Sequence, residues 1–431
     1  MLDNTEPRLL QKGDDDGEQQ VLRIILQDYN GPVAVSLWNG ERVIGDKQAP
    51  CTLIFRHPAP LRQLLLHQNI VRLAEAYLSG EIAVEGDMEI VFDLVEYLQR
   101  HTPGWSDKIR ILSHALRLPI HRYGRELDRI RAKGSEHHNS AASIARHYDV
   151  SNDFYRLWLD PEMVYSCAYF RSAGQSLAAA QQDKLDYLCR KLRLKPGQAL
   201  LDIGCGWGAM VIWAARHYGV QAHGITLSSQ QYQYAVARVR SLGLENQVRI
   251  ELRDYRDLAA DARYDRVVSV GMFEHIGVAN FPLYFKTVKR ILKPGGLFLN
   301  HGITNDSDAE NTPISRFVQH YVFPDGELAR ISTVSDAMER AGFEIIDIES
   351  LRRHYVLTLR HWVRSLEAHQ KEATALVGES SYRVWRLYMA GAAHFFKTGS
   401  CGLHQVLAGH VGAEPDLPLR RNDLYESVPP S

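Results

Sequence analysis

The sequence predicts an α/β fold, a doubly wound sheet of parallel strands with helices on both faces, preceded by a small α+β domain. Two observations carry this prediction. From about residue 195, short apolar runs alternate with amphipathic helical stretches, the pattern of strand-helix-strand units whose strands are buried on both faces. Ahead of them, from about residue 21 to 105, strand-like runs and helical runs are sufficient to enclose a separate core. The composition agrees, since 431 residues at 45% hydrophobic and 23% charged describe a globular chain of two or three domains and exclude a disordered or fibrous one.

The charge balance of 50 Lys and Arg against 51 Asp and Glu leaves a net −1, so there is no global attraction to nucleic acid. Five cysteines without a CxxC pair make neither a disulfide framework nor a zinc ribbon. They fit a reducing compartment, and no metal site is expected. The opening MLDNTEPRLLQKGDDDGEQQ is polar and acidic, unlike a signal peptide, and no run approaches the roughly 18 apolar residues of a membrane span. A cytoplasmic location is expected.

Taken in order, residues 1–20 are expected to be a disordered tail. VAVSLW and ERVIG flank Asn39-Gly40, a hairpin signal, and CTLIF is a further strand. LRQLLLHQNIVRLAEAYLSG is helical until Gly80, and MEIVFDLVEYLQR repeats the pattern until Thr102-Pro103-Gly104 breaks it. Between residues 107 and 133 lie eight Lys or Arg against three acids, while Ile109, Leu112 and Leu116 share one helical face. Residues 106–140 therefore read either as a solvated linker or as helices lying on an anionic membrane surface.

In the second half, QALLDIG, VQAHGITL, VRIELRD, YDRVVSV and LFLNHGIT are strands, with helices between them and a stop at Lys293-Pro294-Gly295-Gly296. From about 305 to 400 the chain turns helical and aromatic, which predicts a helical cap over the sheet. Gly204-Cys205-Gly206-Trp207-Gly208 follows a strand that carries Asp202, placing glycines where the backbone must turn and a ligand must approach a helix N-terminus. With Ala209 it also satisfies the loose GxGxxG/A pattern, so a nicotinamide enzyme is an alternative. The second strand, however, ends Gly224-Ile225-Thr226-Leu227-Ser228, without the acid that a dinucleotide ribose requires. Asp202 would also repel a pyrophosphate, whereas it suits a cationic cofactor bearing an amino-acid group. S-adenosylmethionine fits that chemistry.

The segments LLDIGCGWG, GITLSSQQ, RDYRDL, YDRVVSVGMFEHIG and ILKPGGLFLNHGI, preceded by HYDVSNDFYRLWLDPEMVYSCAYF, resemble the cyclopropane fatty acid synthases and their mycolic acid relatives. These are class I S-adenosylmethionine-dependent methyltransferases with a Rossmann-like fold. The resemblance runs over residues 146–405, more than half of the chain, and implies a catalytic domain over 141–431. The N-terminal third is similar, mainly at LAEAYLSGEIAVEGDMEIVFDLV, to the accessory lipid-interacting domain of the bacterial synthases. What the resemblance implies is methyl transfer to the cis double bond of unsaturated acyl chains in membrane phospholipids, then proton loss to a bound bicarbonate and closure of a cyclopropane ring. It further implies a homodimer attached peripherally to the inner face of the membrane, which favours the membrane-facing reading of residues 106–140.

An alkene is a weak nucleophile, so such a site must hold methyl and double bond in attack geometry and keep water from the carbocation. The resemblance assigns Cys167, Glu274, His301, Tyr321 and the backbone amide of Ile303 to holding bicarbonate. Tyr148, Tyr165 and Ser166 fall to the methionine end of the cofactor, and Asp202, Gly204 and Gly206 to the glycine turn. Thr226, Leu227, Ser228 and Gln231 fall to the adenosine, with Asp254 and Tyr255 beside the adenine. Ser228 precedes a helical run and reads also as its N-cap. One departure stands out: YMAGAAHFFKTGSCGLHQ places Ala392 where many members carry a late cysteine, and Cys401 takes no role. Electrophilic methylation needs no covalent enzyme intermediate, so that thiol is expected to be dispensable. Two alternatives stay open, a lipid C-methyltransferase with a methyl-branched product and a noncatalytic lipid-binding protein.

Overall fold

The chain divides into two units, Met1–Lys133 and Gly134–Ser431, and the computed structural model describes residues 15–67, 70–101, 104–118, 151–305, 327–413 and 417–425. In the first unit the elements are α1 (Asp15–Ile25), β1 (Val33–Ser36), β2 (Arg42–Ile44), β3 (Cys51–Phe55), α2 (Pro58–His67), α3 (Ile70–Ser79), β4 (Ile82–Gly86), α4 (Val91–Arg100) and α5 (Trp105–Ala115). The strands form one sheet in the order β2-β1-β3-β4. Strands β1 and β3 are parallel and the outer pairs antiparallel, and the Asn39-Gly40 turn joins β1 to β2 with Gly40 at φ +82.

Two expectations for this unit need correction. Helix α1 begins at Asp15, inside the tail expected to be disordered, because Val21, Leu22 and Ile25 give it a buried stripe. The basic stretch is also not all linker, since α5 belongs to this unit and packs on α1 and α2, burying Ile111 and Ala115. Arg62 Nη1 donates to the carbonyl oxygens of Ala115, Leu116 and Leu118 at 2.8, 3.2 and 2.7 Å, satisfying acceptors that a helix end leaves open. Residues 119–150, with five of the eight basic side chains, lie outside the described residues.

The second unit contains α6 (Asn152–Arg156), α7 (Leu177–Lys191), β5 (Ala199–Ile203), α8 (Ala209–Tyr218), β6 (Gln221–Thr226), α9 (Ser229–Ser241), β7 (Val248–Leu252), β8 (Tyr264–Val270), α10 (Phe281–Ile291), β9 (Leu292–Asn305), α11 (Ile331–Arg340), β10 (Phe343–Ser350), α12 (Arg352–Ala368), α13 (Gln370–Val377), α14 (Glu379–Thr398) and β11 (Cys401–His410). Seven strands form a sheet in the order β10-β11-β9-β8-β5-β6-β7. Neighbours are parallel except at β11, which runs antiparallel to both β9 and β10. Successive residues of β5 point to opposite faces, so Leu200 joins a core with Leu188, Val211 and Ile212, while Leu201 joins one with Phe281, Phe285 and Phe298. Chain order reverses at β5, and such a switch point opens a crevice beyond the carboxyl ends of the strands.

The cap expected over residues 305–400 is shorter than the sequence suggests. Residues 306–326 lie outside the described residues, α11 packs on α10 and β10, and Phe343–Ser350 is a strand of the sheet. The helical insertion is α12 to α14, between β10 and β11. It is joined to the segment around α6 by aromatic rings: Trp362 lies 5.5 Å from Trp158 and 5.2 Å from Tyr165, and Trp385 lies 5.5 Å from Trp158. Trp362 is 1% exposed. Trp362→Ala should therefore cost about 3–5 kcal/mol, seen as a lower urea midpoint with an unchanged slope.

Candidate functional site

The site is built where β5 to β9 end. Strand β5 delivers Asp202, buried, and the chain then turns through Gly204 at φ +84 and Gly208 at φ +87 into α8, a left-handed conformation that side chains with a Cβ resist. The amides of Gly204 and Cys205 both donate to the carbonyl oxygen of Ile225, at 3.0 and 2.9 Å, which ties the turn to β6. Strand β6 ends at Thr226, whose Oγ1 donates to Gln231 Oε1 at 2.8 Å. After β7, Asp254 holds the guanidinium of Arg256 through two bonds of 2.9 and 2.7 Å.

These ends and residues 163–166 enclose one pocket. Tyr165, Ser166, Asp202, Gly204, Gly206, Thr226, Leu227, Gln231, Asp254 and Tyr255, all expected at the cofactor, line it. Ser228 does not, because its hydroxyl accepts from the Gln231 amide at 3.3 Å and caps α9. Tyr148 lies outside the described residues. Lys184, Trp207, Met272 and His275 also line the pocket and were not anticipated. For Lys184 the signal was present, since it lies seven residues after Leu177 and four before Leu188 on one helical face, and a lysine on a buried stripe is out of place unless something compensates it.

The residues expected to hold bicarbonate are close to this pocket. Glu274 sits on a turn, Phe273–His275, just after β8, and His301 pairs with Val270 across the β8–β9 ladder. The Ile303 amide donates to Glu274 Oε1 at 3.3 Å, so in this structure it serves the carboxyl. Gly302 lets the carboxyl approach, because a Cβ there would lie 2.7 Å from Glu274 Oε2 and 2.2 Å from the Phe273 ring. Gln405 Nε2 lies 3.1 Å from His301 Nδ1. Two buried polar atoms, Glu274 Oε2 and His301 Nε2, have no hydrogen-bond partner among the described residues. Cys167 is buried, with Sγ 3.2 Å from the carbonyl oxygen of Ala168. Tyr321 lies outside the described residues.

Burial sets the protonation of the whole group. It pushes the Glu274 carboxyl up to about 7, with only backbone amides opposing. Asp202 is likewise raised to about 7 by burial, against the pull of Lys184. Burial lowers Lys184 to about 8 while Asp160 and other neighbours raise it. The His301 imidazole is held well below its ordinary value and His275 near 4, in both cases chiefly by burial. At neutral pH these imidazoles are uncharged and both carboxyls are close to titration, which is the condition for proton handling.

A family model described as mycolic acid cyclopropane synthetase matches residues 135–406, and a domain of unknown function (DUF7884) matches residues 21–102. The chain is 41% identical over 409 residues to a probable fatty acid methyltransferase of Pseudomonas putida, covering 93% of this chain and 98% of that protein. It is 38% identical over 275 residues to the cyclopropane-fatty-acyl-phospholipid synthase of Escherichia coli (strain K12), covering 64% of this chain and 69% of the relative. The crystal structure of the mycolic acid cyclopropane synthase CmaA1, complexed with SAH and CTAB, superposes with a TM-score of 0.59 at 34% identity, covering 62% of this chain and 98% of that one. With a glycine turn, a pocket at the strand ends and a match across both units, the chain belongs to the mycolic acid cyclopropane synthetase family of S-adenosylmethionine-dependent methyltransferases.

Proposed function

We propose that the protein transfers a methylene group from S-adenosylmethionine to the cis double bond of unsaturated acyl chains in membrane phospholipids, forming a cyclopropane ring, with bicarbonate as the base. The observation that carries this reading is the pair of buried, unpartnered atoms, Glu274 Oε2 and His301 Nε2. With the Gln405 amide nitrogen donating to Nδ1, the imidazole proton belongs on Nε2, a donor lacking an acceptor. Glu274, near its titration point, can accept or donate. Bicarbonate carries both an O–H and acceptor oxygens, so it fits a donor beside a carboxyl.

When bound, S-adenosylmethionine supplies an electrophilic methyl and bicarbonate takes a proton from that methyl once it has joined the alkene. The chain's residues bind, orient and exclude water. Tyr165, Ser166, Asp202, Gly204 and Gly206 take the methionine end, and Thr226, Leu227, Gln231, Asp254 and Tyr255 the adenosine. Glu274 and His301 orient the base, with Cys167, Ile303 and Tyr321 completing its surroundings and Tyr148 the cofactor's. The rings of Trp158, Trp362 and Trp385 make the wall beside Tyr165 apolar, which protects a carbocation from water. A second reading has one observation in its favour: the relative matched over 98% of its length is named a fatty acid methyltransferase, and a carbocation that loses a different proton leaves a methyl-branched alkene.

A substrate in a bilayer has to be reached from its surface, for no helix among the described residues is long and apolar enough to cross a membrane. Helix α5 offers the contact. Trp105, Ile109 and Leu112, with Leu116 just beyond its end, are 84%, 69%, 51% and 62% exposed, at spacings that share one face. Lys108, Arg110 and Arg117 flank them, with Lys108 Nζ 5.5 Å from the Trp105 ring centre. An apolar stripe edged by bases matches an anionic leaflet, here the inner face of the cytoplasmic membrane, with the protein acting as a homodimer.

Lipids of expressing cells should show acyl chains heavier by one CH2 by mass spectrometry and without alkene protons by proton NMR; the same gain of CH2 with alkene protons retained supports the branched product instead. Turnover should also fall in bicarbonate-depleted buffer and return when bicarbonate is added back. Glu274 gives a prediction on stability. Its folded-state carboxyl near 7, against an ordinary 4.5, means that the folded state binds more protons between those values, so this group costs stability increasingly as pH rises through them. Glu274→Gln should therefore stabilise the ligand-free protein at pH 8 by up to roughly 3 kcal/mol, with the gain absent at pH 4. The same variant should keep S-adenosylhomocysteine affinity and lose about a hundredfold or more in turnover. For docking, the double variant Trp105→Ala, Leu112→Ser should bind anionic vesicles about tenfold or more weakly, and wild-type binding should drop as salt shortens the Debye length.

A further inference from the structure

Lys184 is 2% exposed, lines the cofactor pocket, and has no part in the chemistry described above. One turn before it on α7, Gln181 Nε2 donates to the carbonyl oxygens of Val164 and Ser166 at 3.3 and 2.9 Å, which fixes a segment that lines the pocket. Lys184 Nζ then donates to Ser166 Oγ at 3.1 Å. An ammonium has three protons to give, and Ser166 is the one hydrogen-bond acceptor it meets among the described residues. The nearby Asp160 commits its two oxygens to the amides of Val164 and Glu162, each at 2.9 Å. Asp202 lines the same pocket and feels the charge of Lys184, and its Oδ1 is buried with no partner among the described residues.

A buried cation with donors to spare, beside a buried acid with an acceptor to spare, is costly in an empty pocket. It is also the complement of an amino-acid zwitterion. We propose that Lys184, together with the Ser166 hydroxyl, binds the α-carboxylate of the cofactor's amino-acid group, leaving Asp202 for its α-ammonium. This rests on the S-adenosylmethionine cofactor and gives it a carboxylate-binding residue. The electrostatics are consistent, since Lys184 also feels the charge of Asp202 and Asp160, so a carboxylate arriving at Nζ meets a cation already held in place.

The test is calorimetry on the full-length protein with ligands that differ only at this end. Wild-type protein should bind S-adenosylmethionine at least about tenfold more tightly than its decarboxylated analogue, the loss expected for one charged hydrogen-bonded contact. Lys184→Met should weaken S-adenosylhomocysteine by a similar factor or more while leaving 5′-methylthioadenosine, which lacks the amino-acid group, within about twofold. Equal wild-type affinity for S-adenosylmethionine and its decarboxylated form would overturn the proposal without any variant, so it stays testable even if Lys184→Met fails to fold. It is likewise overturned if Lys184→Met weakens both nucleosides equally, as a purely structural partner of Asp160 would, or weakens neither. Failure of wild-type protein to bind any of these nucleosides would be a separate result, refuting the cofactor itself.

Discussion

At the carboxyl edge of the seven-stranded sheet, Asp202, Glu274 and His301 are all buried, and the buried Lys184 ammonium acts on Asp202 and His301. In a low-dielectric pocket each charge must be paired, hydrogen-bonded or given up. The structure does some of each: His301 is neutral, both acids are drawn up to about 7, and Lys184 is drawn down to about 8. The polar atoms left over, Asp202 Oδ1, Glu274 Oε2 and His301 Nε2, mark where bound groups complete the arrangement. Stability and readiness for ligand are thus opposed at the same residues, as expected where a site is preorganised before its ligands arrive.

That opposition explains the heavy framing of the pocket. Asp202 is fixed by a strand buried along its length and Glu274 by a turn that only Gly302 leaves room for. His301 is held by its ladder pairing to Val270 and by Gln405 of the antiparallel strand β11. The first unit meets a different requirement. Its exposed stripe on α5 is apolar and rimmed by bases, whereas the whole chain nets −1. A neutral average over a locally basic face is compatible with the docking proposed for α5 on an anionic surface.

Much of this was legible in the residues. Parallel strands such as ALLDI are apolar apart from one residue, here Asp202, and the glycine turn that follows this acid separates a sulfonium cofactor from a dinucleotide. Ten of the expected cofactor residues do meet at one pocket. The strands that escaped notice are those without that pattern. FEIIDIES of β10 sits at the sheet edge, mixes Glu344, Asp347 and Glu349 among its apolar residues, leaves Ile348 exposed and falls within the stretch read as a cap, and IAVEG of β4 is a short run after Gly80 that the sequence leaves unassigned. The role of Gln405 was hidden for the same reason, since it depends on a long-range antiparallel pairing that no local spacing reveals. Ser228 shows the reverse case: two compatible roles fit the sequence, and the hydrogen bond from the Gln231 amide to its hydroxyl is the capping one.

The missing late cysteine can be judged by the same electrostatics. A thiol acts as a nucleophile through its thiolate, which needs a cationic neighbourhood or partial exposure. Here burial raises the thiols of Cys167, Cys189 and Cys205, so each remains protonated at neutral pH. Even Lys184, whose charge pulls Cys167 downward, is too weak to offset desolvation there. Cys167 is therefore suited to donate its S–H, as it does toward the carbonyl oxygen of Ala168, and not to attack. Since the electrophile is the cofactor's methyl, the nucleophile has to be the substrate alkene. Ala392, on α14, thus removes a thiol that this chemistry does not need, and the demand on the protein shifts to geometry, dryness and a place for the departing proton.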